Sequence, residues 1–248
     1  MIAQTGLTLF ASLAICVGTT ASVAQAIEQP IWAKQATALD RSCSSQSRSI
    51  ASPDHQSSVE VLCHTRPNDD PIYAVRVTTK STHYDLPLDE GAHELLWAPN
   101  SRAFFIDGGT SSYAGFFVTV YRFSAQGSLE KLAVTSAAQG DMVVSFPPCK
   151  AFNRDPDETD CRRIAADPQF NMSGVAWDDD SSAIYVFAEV PCSSSYGGIM
   201  CQVLGYELSV PDGRILKRFT ASDVSRQWRG SMAWDMHKPD PPRYGRPQ

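Results

Sequence analysis

Short stretches in which apolar and polar residues alternate recur along the chain. They include AFFI, FFVTVYRF and LEKLAV, and farther along AIYVFA, QVLGYEL and RILKRF. Alternation with a period of two, together with many β-branched and aromatic residues, indicates β-strands. The intervening turns APNS, DDDS, AQGS and PDGR supply the backbone angles and side-chain hydrogen bonds that tight reversals need. The pattern predicts an all-β protein with almost no helix.

The predicted strands group into a unit that is used several times. The stretch LLWAPNSRAFFIDGG is followed by a related stretch, GVAWDDDSSAIYVFA, so that Trp97 and Trp177 align at an offset of 80 residues. A fainter copy occupies residues 50–86 and aligns 46 residues before the first. A truncated fourth copy opens with GSMAWD at residues 230–235. Repetition in a fixed order identifies a supersecondary unit, here four short antiparallel strands.

The turn between the first two strands of each unit carries a shared motif. It reads SPD at residues 52–54, WAPNS at 97–101 and WDDDS at 177–181, where Asp179 replaces the proline. This motif resembles the TolB-type, WD40-like β-propeller repeat. The resemblance implies blades around an axis, but only three units and a fragment are visible where about 40–50 residues make one blade. The expected fold is a small or incomplete propeller-like array, with a β-sandwich as the alternative.

The first residues have the composition of a secretory signal peptide. Residues 1–26 carry no charged side chain, contain an apolar run over residues 7–17 and end in Ala24-Gln25-Ala26. This pattern predicts cleavage after Ala26, and the apolar run is too short to span a bilayer. We therefore expect a periplasmic or secreted protein with no transmembrane segment in the mature chain.

Six cysteines remain after removal of this segment, an even number that indicates disulfides in an exported chain. They are Cys43, Cys63, Cys149, Cys161, Cys192 and Cys201. The sequence does not choose among fifteen connectivities, but pairing of neighbours along the chain is favoured: 43 with 63, 149 with 161 and 192 with 201. No C-x-x-C or paired histidine spacing indicates a zinc site.

The mature chain has the length of one domain, which we place at residues 27–236. Residues 145–174 interrupt the repeat and are interpreted as an insertion clipped by a disulfide. Residues 237–248 include four prolines and are expected to form a flexible tail.

Charge and motifs exclude several functions. A formal net charge of −6 and an isoelectric point near 5.3 argue against a nucleic-acid or anionic-membrane partner. The acidic run 155–160 lacks the glycine and distant glutamate of a calcium loop. The run 178–180 is interpreted as a solvated turn, because the equivalent turn APNS contains no acid. No metal ion or other cofactor is therefore predicted. The five histidines lie in no catalytic motif, although a Ser-His-Asp set could still assemble in space.

Two loops, residues 108–116 and 192–201, join the second and third strands of their units and should emerge on one side. Each contains tyrosine among serine and glycine, a combination suited to adaptable recognition. The candidate binding residues are Ser111, Ser112, Tyr113, Ser194, Ser195 and Tyr196. The recurring Trp97, Trp177 and Trp234 are interpreted as core residues.

The sequence therefore predicts an exported, non-enzymatic binding protein that recognises a protein or an envelope component. An inhibitor or immunity protein is a more specific version of this prediction. The alternative is a hydrolase with its site at the mouth of a propeller.

Overall fold

The computed structural model describes residues 32–39, 49–64, 72–88, 91–112, 114–147, 169–192 and 194–232. In chain order the strands are β1 (Thr37–Ala38), β2 (Ile50–Ala51), β3 (Ser58–His64), β4 (Ile72–Thr78), β5 (His83–Pro87), β6 (Ala92–Trp97), β7 (Ala103–Ser112), β8 (Ala114–Phe123), β9 (Leu129–Leu132), β10 (Asn171–Trp177), β11 (Ala183–Glu189), β12 (Val203–Ser209) and β13 (Ile215–Thr220). Two α-helices, α1 (Ser136–Ser145) and α2 (Ala221–Gln227), and a short 3-10 helix (Ser194–Ile199) complete the described elements.

The strands form three antiparallel sheets that correspond to the predicted units. Sheet 1 has the order β2-β3-β4-β5, and sheet 3 has the order β10-β11-β12-β13. Sheet 2 contains β6-β7-β8-β9 and a fifth strand, β1, which pairs with the outer edge of β6. The prediction of an all-β fold built from repeated four-stranded antiparallel units is confirmed.

Sheet 2 lies between the other two sheets and buries both of its faces. On strand β7, Phe104 and Ile106 pack with residues of sheet 1, whereas Phe105 packs with residues of sheet 3. Successive side chains of a strand point to opposite faces, so a strand that is buried on both sides reads as a continuous apolar run. This explains the sequence AFFI.

The turn between the first and second strands has the same backbone in all three sheets. His55, Ser101 and Ser181 occupy equivalent positions and have positive φ angles of 58°, 63° and 59°. Left-handed backbone is uncommon for residues other than glycine. Its recurrence at the predicted offsets shows that the sequence repeat is also a structural repeat.

Hydrogen bonds link the second unit to the first and the third unit to the second. The Trp97 indole N–H donates to the Ile50 carbonyl oxygen at 3.3 Å, and the Trp177 indole donates to the Leu96 carbonyl oxygen at 3.2 Å. The Ser181 hydroxyl accepts from the backbone N–H of Asn100 at 3.0 Å, as the Ser101 hydroxyl does from Asp54 in the turn before. We call this repeated set the inter-unit ladder.

Loss of one ladder bond should be measurable. Trp177→Phe should lower the free energy of unfolding by about 1 kcal/mol more than Trp32→Phe, as measured by urea denaturation. Both substitutions remove the same ring volume, but the Trp32 indole nitrogen is buried without an acceptor among the described residues. Equal losses for the two variants would show that the ladder bond contributes nothing.

Two features depart from the expectation of almost no helix. Helix α2 begins with a capping box between Thr220 and Asp223. Val224 in this helix and Trp228, which caps its C-terminal end, cover the outer face of sheet 3. Helix α1 packs Ala138 and Met142 into the core shared by sheets 2 and 3. Both helices therefore bury sheet surface that strand periodicity alone leaves exposed.

Several predictions lie outside the described residues. These are the signal peptide, most of the insertion at 145–174, the tail at 237–248 and the cysteines at 43, 149 and 161. The pairing of Cys192 with Cys201 is present, and Cys63 is also disulfide-bonded. Within the described ranges, no helix is long and apolar enough to cross a membrane.

Candidate functional site

The array has two ends that differ in chemistry. The turn end carries the turns between first and second strands, residues 52–57, 98–102 and 178–182. The loop end carries the connections between second and third strands, where the sequence predicts the binding loops. Both predicted loops belong to this end, because each joins the same two strands of its sheet.

At the loop end, Tyr196 faces inward. It lies in the 3-10 helix with 8% of its surface exposed, and its hydroxyl donates to the Gln169 carbonyl oxygen at 3.3 Å. The disulfide between Cys192 and Cys201 closes this loop. Tyr196 therefore contributes to the core, which differs from the exposed recognition role expected for it.

The structure does not describe the side chains of the other predicted binding residues. Tyr113 lies outside the described residues, as do the side chains of Ser111, Ser112, Ser194 and Ser195. Their role in recognition stays a prediction.

Hydrogen bonds between buried polar residues connect sheets 2 and 3 next to the loop end. The Asn171 side-chain oxygen accepts from the backbone N–H of Gly115 at 2.9 Å, and its amide donates to Glu189 at 3.1 Å. Burial raises the pKa of Glu189, opposed in part by the hydrogen bond from Asn171. Asn171 thereby ties the start of β8 in sheet 2 to sheet 3.

A buried glutamate holds the N-terminal segment against sheet 2. Glu94 on β6 has no exposed surface and accepts from the backbone N–H groups of Trp32 at 3.1 Å and Ala33 at 2.6 Å. Ala33 also forms a β-bridge with Met232. The carboxylate of Glu94 therefore anchors a segment that links the first and last described parts of the chain.

A second buried acid, Asp107 on β7, lies directly opposite Glu94 in the strand register. It has no exposed surface, and its Oδ1 accepts from the Gly174 backbone N–H at 2.7 Å. Burial, and next the charge of Glu94, raise the pKa of Asp107 well above its usual value. Because two adjacent buried carboxylates cannot both ionise cheaply, the folded chain favours the protonated form of Asp107.

This proton makes stability depend on pH. The folded chain keeps Asp107 protonated where the unfolded chain has lost that proton, so stability should fall as pH rises from about 4 towards the raised pKa. The slope should reach up to ~1.4 kcal/mol per pH unit in denaturation curves. Asp107→Asn keeps the Oδ1 acceptor and cannot ionise. Its pH profile should be flatter, and an unchanged slope would assign the dependence elsewhere.

Two of the described histidines, His93 and His55, occupy structural positions. His93 is buried, its Nδ1 lies 3.2 Å from the Gly91 carbonyl oxygen, and its ring packs against Phe117. His55 occupies the left-handed position of the first turn. In the described part of the chain, no group of three or more histidine, cysteine and acidic side chains could hold a metal ion.

A cleft of about 600 Å³ opens at the turn end, beside the outer face of sheet 3. Its volume falls in the range typical of ligand sites. Its described walls are formed by Gln35, Pro53, Leu96, Trp97, Pro99, Val175, Ala176, Trp177, Asp179, Tyr185, Glu207, Lys217, Phe219, Gln227, Trp228 and Ser231. We call this the turn-end cleft.

Aromatic rings and a few charges give the turn-end cleft its character. Tyr185, Phe219 and Trp228 pack edge to face, with ring centroids 5.1–6.4 Å apart. The Lys217 ammonium lies 4.7 Å from the centre of the Phe219 ring. Burial, and next the charge of Glu207, raise the pKa of Tyr185, so its hydroxyl stays neutral. An apolar surface with sparse charges can hold a ring or an aliphatic side chain and select the charge beside it.

Comparisons with known proteins add no relative. No protein-family model, curated protein or solved structure matches the chain. The candidate site therefore rests on its own geometry.

The turn-end cleft was missed by the sequence analysis. Tyr185 and Glu207 alternate with core residues on their strands, as residues on a solvated face do, and Lys217 lies in an exposed run of its strand. The replacement of the motif proline by Asp179 was the visible signal that the third turn differs from the second.

Proposed function

We propose that this chain is an exported, non-enzymatic binding protein that holds a segment of a partner protein in the turn-end cleft. The observation that carries the proposal is the aromatic wall of Tyr185, Phe219 and Trp228 next to the charged groups of Asp179, Glu207 and Lys217. Aromatic side chains flanked by polar groups are typical of the energetic centres of protein interfaces.

The chemistry of the cleft favours a particular kind of segment. Aromatic walls stabilise a large apolar side chain, and the acids Asp179 and Glu207 outnumber Lys217 among the described charged residues that line it. A partner segment with an aromatic or long aliphatic residue next to lysine or arginine fits both features.

Export is part of the same proposal. It is supported by the predicted signal peptide and by the Cys192–Cys201 disulfide, since disulfides persist in oxidising compartments. The relation to TolB-type repeats also remains a proposal, and the regular inter-unit ladder supports it. An inhibitor or immunity role would be a special case of partner binding.

Binding is favoured over the alternative of a hydrolase. The described walls of the cleft contain acids but no histidine that could act as a base beside a nucleophile. The described His93 is enclosed in sheet 2 with Phe117 and Gly91.

The test is capture of partners from native envelope and secreted fractions by the oxidised mature chain, residues 27–248. Reversing two cleft charges in Asp179→Lys/Glu207→Lys should weaken capture about tenfold or more. The matched control Glu60→Lys/Glu130→Lys makes the same charge change on sheets 1 and 2, and should capture the partner as the wild type does. Equal capture by both double variants would reject the cleft as the binding site.

A further inference from the structure

The turn-end cleft is built from all three described units. Pro53, Pro99 and Asp179 line it, and they stand at equivalent positions of the first, second and third turns. The motif tryptophans Trp97 and Trp177 line it as well. A surface made of equivalent positions in consecutive units follows the row of units. It therefore suits an extended chain better than a compact molecule.

Two hydrogen-bond donors in the wall of this cleft are unused. The rings of Tyr185 and Trp228 contact each other, but the Tyr185 hydroxyl and the Trp228 indole N–H have no hydrogen-bond partner among the described residues. Neither atom is one of the buried polar atoms that lack a partner in the described chain, so both are accessible from the cleft. The indoles of Trp97 and Trp177, in contrast, already donate to carbonyl oxygens. The cleft therefore presents donors for the carbonyl oxygens of an incoming chain.

The charges that line the cleft leave one acid unbalanced. Lys217 stands opposite Glu207 in the strand register, so the charges of these two residues offset each other. Asp179 is exposed and has no ion pair within the described ranges. A lysine or arginine of a bound chain would be stabilised beside Asp179.

We propose that the segment held in the turn-end cleft is a proline-rich chain in the polyproline II conformation, with a lysine or arginine beside Asp179. This inference rests on the proposed function and names its ligand class. A polyproline II helix has no internal hydrogen bonds, so its carbonyl oxygens are available to Tyr185 and Trp228. Proline has no backbone N–H and therefore needs no acceptor from the aromatic wall. Aromatic-lined grooves are a recurrent binding mode for such segments.

Other backbone conformations fit the cleft less well. The carbonyl oxygens of an α-helix or of a paired strand are engaged in backbone hydrogen bonds, so they would leave the donors of Tyr185 and Trp228 unpaired. A polyproline II helix has three residues per turn, so every third side chain faces the same way. Leucine at that spacing would meet the aromatic wall repeatedly. This conformation therefore uses the donors and the aromatic surface together.

Defined peptides test this inference on the oxidised mature chain, with binding measured by fluorescence polarisation. The probe is a labelled peptide of Pro-Pro-Leu repeats that ends in arginine. The matched control peptide has alanine in place of each proline and keeps the leucines and the arginine. We expect the proline peptide to bind about tenfold more tightly, because it is already ordered before it binds.

Single substitutions test the named contacts. Tyr185→Phe removes only the hydroxyl and should weaken binding of the proline peptide about fivefold, whereas Tyr84→Phe, the same change on sheet 1, should not. Asp179→Lys should weaken it about tenfold and should strengthen binding of the same peptide ending in glutamate. Glu130→Lys, the control on sheet 2, should change neither affinity.

Equal affinities for the proline and alanine peptides, or no binding of either, would overturn the polyproline inference. Equal effects of Tyr185→Phe and Tyr84→Phe would overturn the hydroxyl contact, and affinities unmoved by Asp179→Lys would overturn the charge contact. If capture of the native partner still depends on the cleft charges, the proposed function survives these results. Binding of the proline peptide by a chain whose partner ignores the charge reversal would leave the ligand class standing and remove the proposed function.

Discussion

Replacing Glu94 with alanine should lower the free energy of unfolding by about 3–5 kcal/mol, as expected when one member of a buried charged network is removed. Glu94 is fully buried and satisfies the backbone N–H groups of Trp32 and Ala33. Its loss leaves these donors unpaired. We also expect the N-terminal segment to detach, because β1 contributes only two residues of pairing.

Urea denaturation at neutral pH measures this effect. Glu94→Gln keeps the size of the side chain and one acceptor oxygen, and should lose less stability than the alanine variant. Glu60→Ala on β3 is the control for removing a partly exposed strand glutamate. A loss for Glu94→Ala no larger than that of the control would contradict the anchoring role.

Removing the Cys192–Cys201 disulfide should give the second large effect. The two cysteines are nine residues apart, and closing a loop of this size stabilises the folded chain by about 3 kcal/mol in the chain-entropy model. Cys192→Ser/Cys201→Ser should lower stability by that amount. It should also increase hydrogen exchange in the 3-10 helix, because that helix lies inside the loop.

Reduction provides the complementary measurement. A reducing agent breaks two disulfides in the wild type, the one between Cys192 and Cys201 and the one that Cys63 forms. In the double serine variant it breaks only the disulfide of Cys63. It should therefore destabilise the wild type more than the double serine variant. If the double variant were as stable as the oxidised wild type, the disulfide would have no role in ordering the loop end.

Much of the fold could be predicted because local pattern and tertiary structure agree. The motif tryptophans recur at fixed offsets since each performs the same task, donating to a carbonyl of the preceding unit. The run AFFI reads as a strand because both of its faces are covered. The left-handed Ser101 and Ser181 fall in turns that their Asn and Asp neighbours already mark.

The candidate site could not be predicted to the same extent, because its residues obtain their environment from distant segments. Glu94 and Asp107 read as ordinary polar strand positions, and they are buried only because β1 and sheet 3 cover them. Tyr196 reads as a loop aromatic, but the 3-10 helix turns it inward. The turn-end cleft depends on helix α2, whose Trp228 is brought against sheet 3 by packing on Gly205.

Hydrogen exchange of the mature chain, alone and with its captured partner, tests the central claim most directly. If the turn-end cleft is the binding site, the partner should protect residues 175–179 and 217–219. Protection confined to residues 108–116 and 192–201 would contradict the account and would place recognition at the loop end.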